Sequence, residues 1–265
     1  MKQRVDVLLV NLGLAPSRQR AQALIMAGRV YENENKVLKP SESFEENANI
    51  IVRGEEAPFA SRGGHKLEKA INSFKADVRN KICMDIGCAT GGFTDVLLRH
   101  GAKSVYAIDV GYGQFAWELR QDERVKLMER TNARFLSLDM FDRGLPEVCV
   151  MDVSFISIRL IIPSALKIMG ENCRFLSLVK PQFEAGREAI GKNGVVRDKL
   201  DHIRVLKEIR DFAEEVALRV EDFDFSPIKG PKGNIEFLAN IAKSTKPVLS
   251  DKYIEELVLR AHEEL

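Results

Sequence analysis

The sequence predicts an α/β protein in which a parallel sheet, with helices on both faces, follows a small N-terminal α+β unit. Beyond residue 62, strand-like apolar runs alternate with helical patterns, as is typical of parallel sheets. The length of 265 residues exceeds that of most single domains, and a charged, turn-forming stretch lies at residues 54–58. We therefore expect one domain at residues 1–53, a linker at 54–61 and a second domain at 62–265.

The small unit is expected to contain two short helices and short strands. The first helix is predicted from apolar residues at helical spacing: Val5, Leu8, Leu9 and Leu12. Gly13 ends that pattern, Ser17 is the predicted N-cap of a second helix, and Gly28 is its predicted stop. The apolar stripe of the second helix is Ala21, Leu24 and Ile25. Strands are expected at residues 29–31 and 50–52.

The larger unit is expected to begin with a helix and to continue with six strands. The apolar face of the helix is Leu67, Ala70, Ile71 and Phe74. The strands are expected at residues 82–86, 104–108, 125–128, 148–153, 175–179 and 235–241.

The composition limits the classes of protein to be considered. Hydrophobic content of 45% is that of an ordinary globular protein, so disorder is excluded. Lys and Arg total 40 and Asp and Glu 39, so any basic surface for nucleic acid must be local. The four cysteines show no C-x-x-C spacing and no Cys/His cluster, which predicts reduced thiols and no metal site. Without a signal-peptide pattern or about 18 consecutive apolar residues, a cytoplasmic protein is expected.

The segment Asp85-Ile86-Gly87-Cys88-Ala89-Thr90-Gly91-Gly92-Phe93-Thr94 lies between a predicted strand and a predicted helix. In a doubly wound sheet this turn approaches the ligand, where glycines allow close backbone contact and the helix start supplies N–H groups. A dinucleotide fingerprint beginning at Gly87 would require glycine at position 89, which is Ala89. The spacing instead resembles motif I of Rossmann-like, S-adenosylmethionine-dependent methyltransferases.

A second acid, Asp109, ends the next predicted strand, about 20 residues further on, where a carboxylate accepts hydrogen bonds from ribose hydroxyls. The alternative role of Asp109 is a helix N-cap. Asn132 either faces the adenine or is a turn residue. The residues expected to bind S-adenosylmethionine are Asp85, Gly87, Ala89, Thr90, Gly91, Gly92, Phe93, Asp109, Asn132 and Asp152.

The residues after the fourth strand indicate the kind of methyl acceptor. Enzymes that methylate exocyclic base nitrogens carry D/N-P-P-Y/F at this place, whereas this chain has Asp152-Val153-Ser154-Phe155. Carbon-5 methylation requires a nucleophilic thiolate, and no cysteine here has the Pro-Cys arrangement of such enzymes. An oxygen acceptor is therefore favoured.

Four stretches closely resemble the hemolysin A (TlyA) family: Ser61-Arg62-Gly63-Gly64-His65-Lys66, Met151-Asp152-Val153-Ser154-Phe155, Leu178-Val179-Lys180-Pro181-Gln182-Phe183 and Gly230-Pro231-Lys232-Gly233-Asn234-Ile235-Glu236-Phe237. The resemblance covers nearly the whole chain. It implies a Rossmann-like methyltransferase domain similar to the RNA ribose 2′-O-methyltransferases, with a Lys-Asp-Lys-Glu catalytic tetrad. By motif match the tetrad is Lys66, Asp152, Lys180 and Glu236.

The first 30 residues carry the expected local basic charge. Lys2, Arg4, Arg18, Arg20 and Arg29 are opposed by the single acid Asp6. This unit resembles an S4 domain, a small RNA-binding module, and such modules recognise folded RNA through its shape and backbone. A solvated arginine face is the alternative interpretation. The residues expected to contact RNA are Arg4, Arg18, Arg20, Arg29 and Arg62.

The function implied by the resemblance is methyl transfer from S-adenosylmethionine to the ribose 2′-oxygen of cytidine in 16S rRNA, 23S rRNA or both, within ribosomal subunits. Loss of such a modification is expected to give resistance to capreomycin-type antibiotics. The alternatives are an RNA-binding assembly factor without catalytic activity, a secreted membrane-lysing protein and a small-molecule O-methyltransferase. The last of these leaves the S4-like unit unexplained.

Overall fold

The computed structural model describes residues 2–26, 28–53 and 59–265, and it divides the chain into two units, Met1–Pro58 and Phe59–Leu265. The predicted linker at residues 54–61 is described only from residue 59, because residues 54–58 lie outside the described residues. The bounds given above for the two domains and the linker therefore stay a prediction.

The first unit is built from short elements, as expected. Its strands and helices are β1 (Lys2–Arg4), α1 (Val5–Asn11), α2 (Arg18–Met26), β2 (Val30–Glu32), β3 (Asn35–Lys36), β4 (Ser43–Glu45) and β5 (Ile50–Val52). β1 pairs with β4, and β2 lies between β3 and β5, with every pairing antiparallel. Ser17 Oγ accepts a hydrogen bond from the Arg20 N–H at 3.2 Å, which confirms the predicted cap. Leu12 was expected on the apolar face, but it follows α1 and is exposed.

The second unit is a seven-stranded sheet covered by helices. In chain order its elements are α3 (Gly64–Phe74), β6 (Ile82–Ile86), α4 (Gly92–Arg99), β7 (Ser104–Ile108), α5 (Trp117–Arg120), β8 (Val125–Met128), β9 (Val148–Met151), α6 (Ile162–Leu166), β10 (Arg174–Val179), α7 (Pro181–Glu184), α8 (Lys199–Glu215), β11 (Arg219–Phe225), β12 (Phe237–Ala242) and α9 (Asp251–Glu264). The strand order is β11-β12-β10-β9-β6-β7-β8.

The sheet is mixed, which corrects the expectation of a wholly parallel sheet. The five strands β6 to β10 are parallel, and three of them have the predicted bounds. β12 pairs antiparallel with both β10 and β11, because the segment that joins β11 to β12 contains no crossover helix. β11 was not predicted, because the adjacent acids Glu221 and Asp222, at an irregularity in its pairing with β12, interrupt the alternation of polar and apolar residues.

Helices cover both faces of the sheet and make two cores. On one face α3 and α4 contribute Leu67, Val96 and Leu97 to a cluster with the strands. On the other face α6, α8 and α9 contribute residues such as Val205 and Ile254. All five residues of β7 are buried, as expected for a central strand with helices on both sides. Within the described residues, no helix combines the length and the apolar character needed to cross a membrane.

Candidate active site

The turn that follows β6 is fixed to α4 by a buried carboxylate. Asp85 is fully buried, and its Oδ2 accepts a hydrogen bond of 2.7 Å from Thr94 Oγ1. Its other oxygen has no hydrogen-bond partner among the described residues. Burial raises the pKa of Asp85 to about 7, and the hydrogen bond from Thr94 opposes this effect. Asp85 thus links strand to helix and holds the shape of the turn.

Gly87 brings this turn against the end of β9. Its φ is +83°, and a Cβ there would lie 2.7 Å from the carbonyl oxygen of Asp152. Glycine alone has both the conformational freedom and the space that this approach requires. The N–H of Ala89, two residues on, donates to Asp109 Oδ2 at 2.8 Å, and the Gly111 N–H donates to Asp109 Oδ1 at 2.7 Å. Asp109 is therefore positioned by loop backbone.

The alternative role of Asp109 as a helix N-cap is wrong. The next helix, α5, begins after Ala116, seven positions beyond this acid. Asn132 has both of the features that were considered for it. Its side chain accepts a hydrogen bond from the Arg134 N–H at 3.0 Å, as a turn residue does, and it also lines the cavity described next.

A cavity of about 470 Å³, called here the cofactor cavity, lies beside the turn. Five of the expected cofactor residues line it: Gly87, Ala89, Asp109, Asn132 and Asp152. The rest of the lining is mostly apolar. A cavity of this size, with few polar groups, is typical of small-ligand sites. It fits S-adenosylmethionine, because its volume suits a small ligand and Asp109 offers a carboxylate for ribose hydroxyls.

Five other residues expected to bind the cofactor do not line this cavity, and their contact with it stays a prediction: Asp85, Thr90, Gly91, Gly92 and Phe93. Asp85 and Phe93 are buried in the sheet and core. A Cβ at Gly91 would meet Leu119 at 2.5 Å, and one at Gly92 would meet Ser61 Oγ at 2.2 Å. These residues shape the turn and the packing of α4, and the sequence pattern does not separate that task from ligand contact.

The four residues of the expected tetrad lie together. Lys66 Nζ is 2.6 Å from Glu236 Oε2 and 3.8 Å from Asp152 Oδ2. Lys180 Nζ is 2.5 Å from Asp152 Oδ1 and donates to Ser154 Oγ at 3.0 Å. Lys66, Lys180 and Glu236 are 5%, 8% and 1% exposed. Two cations and two anions therefore share a site that is nearly closed to water, with Asp152 between the lysines.

The antiparallel direction of β12 explains how Glu236 reaches this group. Asp152 follows the carboxyl end of β9, and Lys180 follows that of β10. Glu236 comes immediately before β12, and Phe237 pairs with Val179 of β10. The amino end of β12 therefore lies at the same edge of the sheet as the carboxyl ends of its parallel neighbours. Lys66 joins them from the first turn of α3.

A second cavity, of about 610 Å³, contains the tetrad and is called the acceptor cavity. Residues that line both cavities are Gly87, Ala89, Asp152, Ser154 and Phe155. The two cavities thus share a wall, and Asp152 belongs to that wall. A group held in the acceptor cavity would meet a ligand of the cofactor cavity beside Lys180 and Asp152.

Phe155 and Phe183 line the acceptor cavity with aromatic surface. Phe155 is 91% exposed and has a φ of +64°, which is uncommon for a bulky residue. Its ring centroid is 5.1 Å from that of Phe183. Core packing does not account for a side chain so exposed, and its ring face is open to a flat partner.

Three polar residues of the acceptor cavity were missed by the sequence analysis. Ser154 accepts the hydrogen bond from Lys180, and Gln182 Nε2 donates to Glu236 Oε1 at 3.4 Å. Buried Asn234 accepts from the Val196 N–H and donates to the Gly194 carbonyl, both at 3.0 Å. Their position in the sequence could have indicated them, because each lies two positions from a tetrad residue. Asn234 fastens the 191–196 loop to the segment that carries Glu236.

The four cysteines offer no reactive thiolate. All four cysteines are buried and free, and burial raises the pKa of Cys83 to about 12. A thiol of this kind is a poor nucleophile. Across residues 2–26, 28–53 and 59–265, no three His, Cys, Asp or Glu side chains are grouped in a way that could hold a metal ion.

The basic residues expected to contact RNA are held in different ways. Buried Asp6 accepts hydrogen bonds from Arg4 at 3.0 Å and from Arg18 at 3.0 Å, and these arginine side chains stay 47% and 58% exposed. Arg20 is half-buried beside them in α2, and Arg29 donates to the Arg53 carbonyl at 3.1 Å. In the second unit, Arg62 lines the acceptor cavity and donates to the Lys229 carbonyl at 2.8 Å.

Comparison with known proteins assigns the two units. Residues 59–243 match the family model described as FtsJ-like methyltransferase, and residues 3–50 match the S4 domain. The Mycobacterium tuberculosis protein named 16S/23S rRNA (cytidine-2'-O)-methyltransferase TlyA is 40% identical over 261 residues, which are 98% of this chain and 97% of that protein. The chain belongs to the hemolysin A (TlyA) family of FtsJ-like methyltransferases.

Other members of the TlyA family are similar over the same length. YqxC of Bacillus subtilis is 49% identical over 265 residues, covering 99% of this chain and 94% of YqxC. A solved structure from Streptococcus thermophilus has a TM-score of 0.78 and 46% identity, covering 99% of this chain and 96% of that one. The predicted family, the α/β methyltransferase fold with an S4 domain, and dependence on S-adenosylmethionine are confirmed. The individual site residues stay predictions.

Proposed function

We propose that this enzyme transfers a methyl group from S-adenosylmethionine to the ribose 2′-oxygen of cytidine in 16S rRNA, 23S rRNA or both. The main support for the proposal is the cluster of Lys66, Asp152, Lys180 and Glu236 in the acceptor cavity, of which Asp152 also lines the cofactor cavity. The name of the M. tuberculosis relative, similar over nearly its whole length, supports the same acceptor. The proposal implies a cytoplasmic protein whose partners are 30S or 50S ribosomal subunits.

In this proposal Gly87, Asp109, Asn132 and Asp152 hold S-adenosylmethionine in the cofactor cavity, with Asp109 at the ribose hydroxyls. When bound, this cofactor supplies a methyl group on a positively charged sulfur, which an oxygen nucleophile attacks directly. The protein's task is to place the ribose oxygen in line with that methyl group, and to handle the proton of a weakly acidic hydroxyl.

Lys180 is the residue that handles this proton. Its Nζ lies in the acceptor cavity, 2.5 Å from Asp152 and 3.0 Å from the Ser154 hydroxyl, and these two residues of the shared wall fix its position. The form of the enzyme that reacts carries Lys180 as a neutral amine, after its ammonium has released one proton to solvent. This amine takes the 2′-hydroxyl proton as the oxygen bonds to the methyl carbon and the carbon–sulfur bond breaks, and Asp152 stabilises the ammonium that results. Glu236 pairs with Lys66 at 2.6 Å, which leaves Asp152 mainly to Lys180. Lys66 provides a positive charge for the sugar oxygen or an adjacent phosphate.

RNA binding in this proposal uses both units. Arg4, Arg18, Arg20 and Arg29 of the S4 domain contact RNA phosphates, and Arg62 contacts RNA beside the acceptor cavity. Phe155, exposed and next to Phe183, stacks on the target base.

The test is methyl transfer from labelled S-adenosylmethionine to purified 30S and 50S subunits from a strain that lacks this gene. Lys180→Ala is the catalytic variant. Lys126→Ala is the matched control, since Lys126 also forms a close ion pair, with Asp142 at 2.6 Å, but lines neither cavity. We expect incorporation with the wild type and the control and none above background with Lys180→Ala. Absence of incorporation into subunits, ribosomes and free rRNA, despite cofactor binding, would favour an RNA-binding assembly factor instead.

A further inference from the structure

A third cavity, of about 310 Å³, shares Lys232 with the acceptor cavity and is called the basic cavity. Every titratable residue in its lining is a base: Arg197, His202, Lys229, Lys232 and His262. The other lining residues are apolar or glycine. No role in binding the cofactor or the reacting ribose has been given to Arg197, Lys229 or either histidine.

The cations of the basic cavity are not neutralised by the protein. Within the part of the chain that the structure describes, Arg197, Lys229 and Lys232 form no side-chain ion pair or hydrogen bond. The acids nearest in sequence are engaged elsewhere. Asp198 caps α8 by accepting from the Leu200 N–H at 2.9 Å, and Asp201 pairs with Arg204 at 2.9 Å. Three cationic side chains thus line a concave surface without carboxylate partners.

Both histidines are affected mainly by burial, which lowers the pKa of His202 to about 4 and also lowers the pKa of His262. The positive charges of Lys199 and Lys229 lower the pKa of His262 further, whereas the carboxylate of Asp198 opposes the lowering at both rings. His202 Nδ1 lies 2.9 Å from His262 Nε2, and the Nε2 of fully buried His202 has no hydrogen-bond partner among the described residues. An anion in this cavity would gain both charge and hydrogen-bond partners.

The turn at residues 230–233 connects the basic cavity to the acceptor cavity. Lys232 lines both cavities, and the carbonyl of Lys229 accepts the hydrogen bond from Arg62 in the acceptor cavity. Gly230 is the first residue of this turn, and a Cβ on it would lie 2.5 Å from Glu236 Oε1. A polymer with its reacting group at the tetrad can therefore extend past Lys232 into the basic cavity.

We propose that the basic cavity binds a backbone phosphate of the RNA strand whose target nucleotide occupies the acceptor cavity. Arg197 and Lys229 are the principal phosphate ligands, and Lys232 guides the strand between the cavities. This assignment rests on the proposed function, because the strand must carry the methylated ribose. A phosphodiester fits better than a base, since the lining offers cationic donors and little aromatic surface.

The experiment compares two double variants of the full-length protein. Arg197→Gln with Lys229→Gln removes two charges from the basic cavity. Lys103→Gln with Lys252→Gln removes two charges from exposed side chains that line none of the three cavities. Affinity for unmodified ribosomal subunits is measured over a range of KCl concentrations, together with affinity for S-adenosylmethionine, methyl transfer and thermal unfolding.

With the cavity variant we expect RNA affinity to fall by about tenfold and the slope of log K against log salt to fall by about one, with unchanged cofactor affinity and unfolding. The charge-preserving pair Arg197→Lys with Lys229→Arg should restore most of the slope. A cavity variant equal to the surface control in affinity and slope would overturn the assignment.

A site for a free anion is the other possible outcome. In that case inorganic phosphate would shift the ring-proton resonances of His202 and His262, and the salt slope for RNA binding would be unchanged in the cavity variant. These two results together would overturn the RNA assignment. Methyl transfer by the wild type in the same preparations tests the proposed function separately. If the salt slopes of the wild type and the cavity variant differ as expected but the wild type transfers no methyl group, the phosphate contact stands and the catalytic proposal fails.

Discussion

Replacement of Gly87 by alanine tests whether the approach of the β6–α4 turn to Asp152 builds both cavities. An alanine with φ near +83° costs about 1–2 kcal/mol from backbone conformation alone. Its Cβ would also lie 2.7 Å from the Asp152 carbonyl oxygen, so either the turn or Asp152 must move. Overpacking of this kind costs roughly 1–3 kcal/mol more. Because Asp152 lies on the shared wall, its movement would disturb both ligand sites.

Gly113→Ala is the matched control. Gly113 has a φ of +76°, but a Cβ there would meet no atom within 4 Å, and the residue lines neither cavity. Its substitution should therefore carry only the conformational cost. We expect denaturant unfolding to show a loss of about 1–2 kcal/mol for Gly113→Ala and roughly 2–5 kcal/mol for Gly87→Ala.

Titration calorimetry with S-adenosylmethionine then separates the two substitutions by function. The Kd should rise at least about tenfold for Gly87→Ala, which corresponds to about 1.4 kcal/mol, and should stay near the wild-type value for Gly113→Ala. Equal losses of stability and unchanged cofactor affinity in both variants would refute the assigned role of Gly87.

Three further predictions concern buried carboxylates. Glu236→Gln, which removes the 2.6 Å ion pair with Lys66, should lower kcat about 100-fold with little change in cofactor Kd. A loss of cofactor affinity as large as the loss of kcat would contradict a role in the reaction. Asp85 has a folded-state pKa of about 7 against an ordinary 3.8, so its contribution to stability is present below pH 4 and is lost as the pH rises through 7. Asp85→Asn should abolish this pH dependence. The gap between the unfolding free energies of the variant and the wild type should therefore change by up to about 4 kcal/mol between pH 4 and pH 8, and parallel pH profiles of the two proteins would refute this prediction. Asp6→Asn should weaken RNA binding by loosening Arg4 and Arg18, and it should destabilise the S4 domain by only about 1 kcal/mol because both arginines are half exposed, whereas Arg20→Gln should weaken RNA binding alone.

The elements that could be predicted were those whose local pattern agrees with their tertiary setting. β6, β7 and β8 are short apolar runs at the start of the doubly wound sheet, and their observed bounds match the expected ones. β11 was missed because acids interrupt it, and only its pairing with β12 shows that it belongs to the sheet. The direction of β12 depends on a connection without a helix, which the apolar pattern of the strand itself does not reveal.

The residues of the candidate site could be predicted from the sequence, but the separate role of each residue could not. Motif matches indicated Lys66, Asp152, Lys180 and Glu236, although these are separated by up to 170 positions, and the structure brings them together. The glycine-rich motif did not separate Gly87, which lines the cofactor cavity, from Gly92, which lets α4 pack beside Ser61. The basic cavity was not foreseen, because its cations come from distant segments with no shared spacing.

The central claim is that the tetrad directs methylation to a ribose oxygen. The most direct test is mass spectrometry of nucleosides from rRNA of subunits treated with wild-type enzyme and isotopically labelled S-adenosylmethionine, with Lys180→Ala treated in parallel. We expect labelled 2′-O-methylcytidine with the wild type and none with the variant. A label on the base, or equal amounts of labelled 2′-O-methylcytidine with Lys180→Ala, would contradict it.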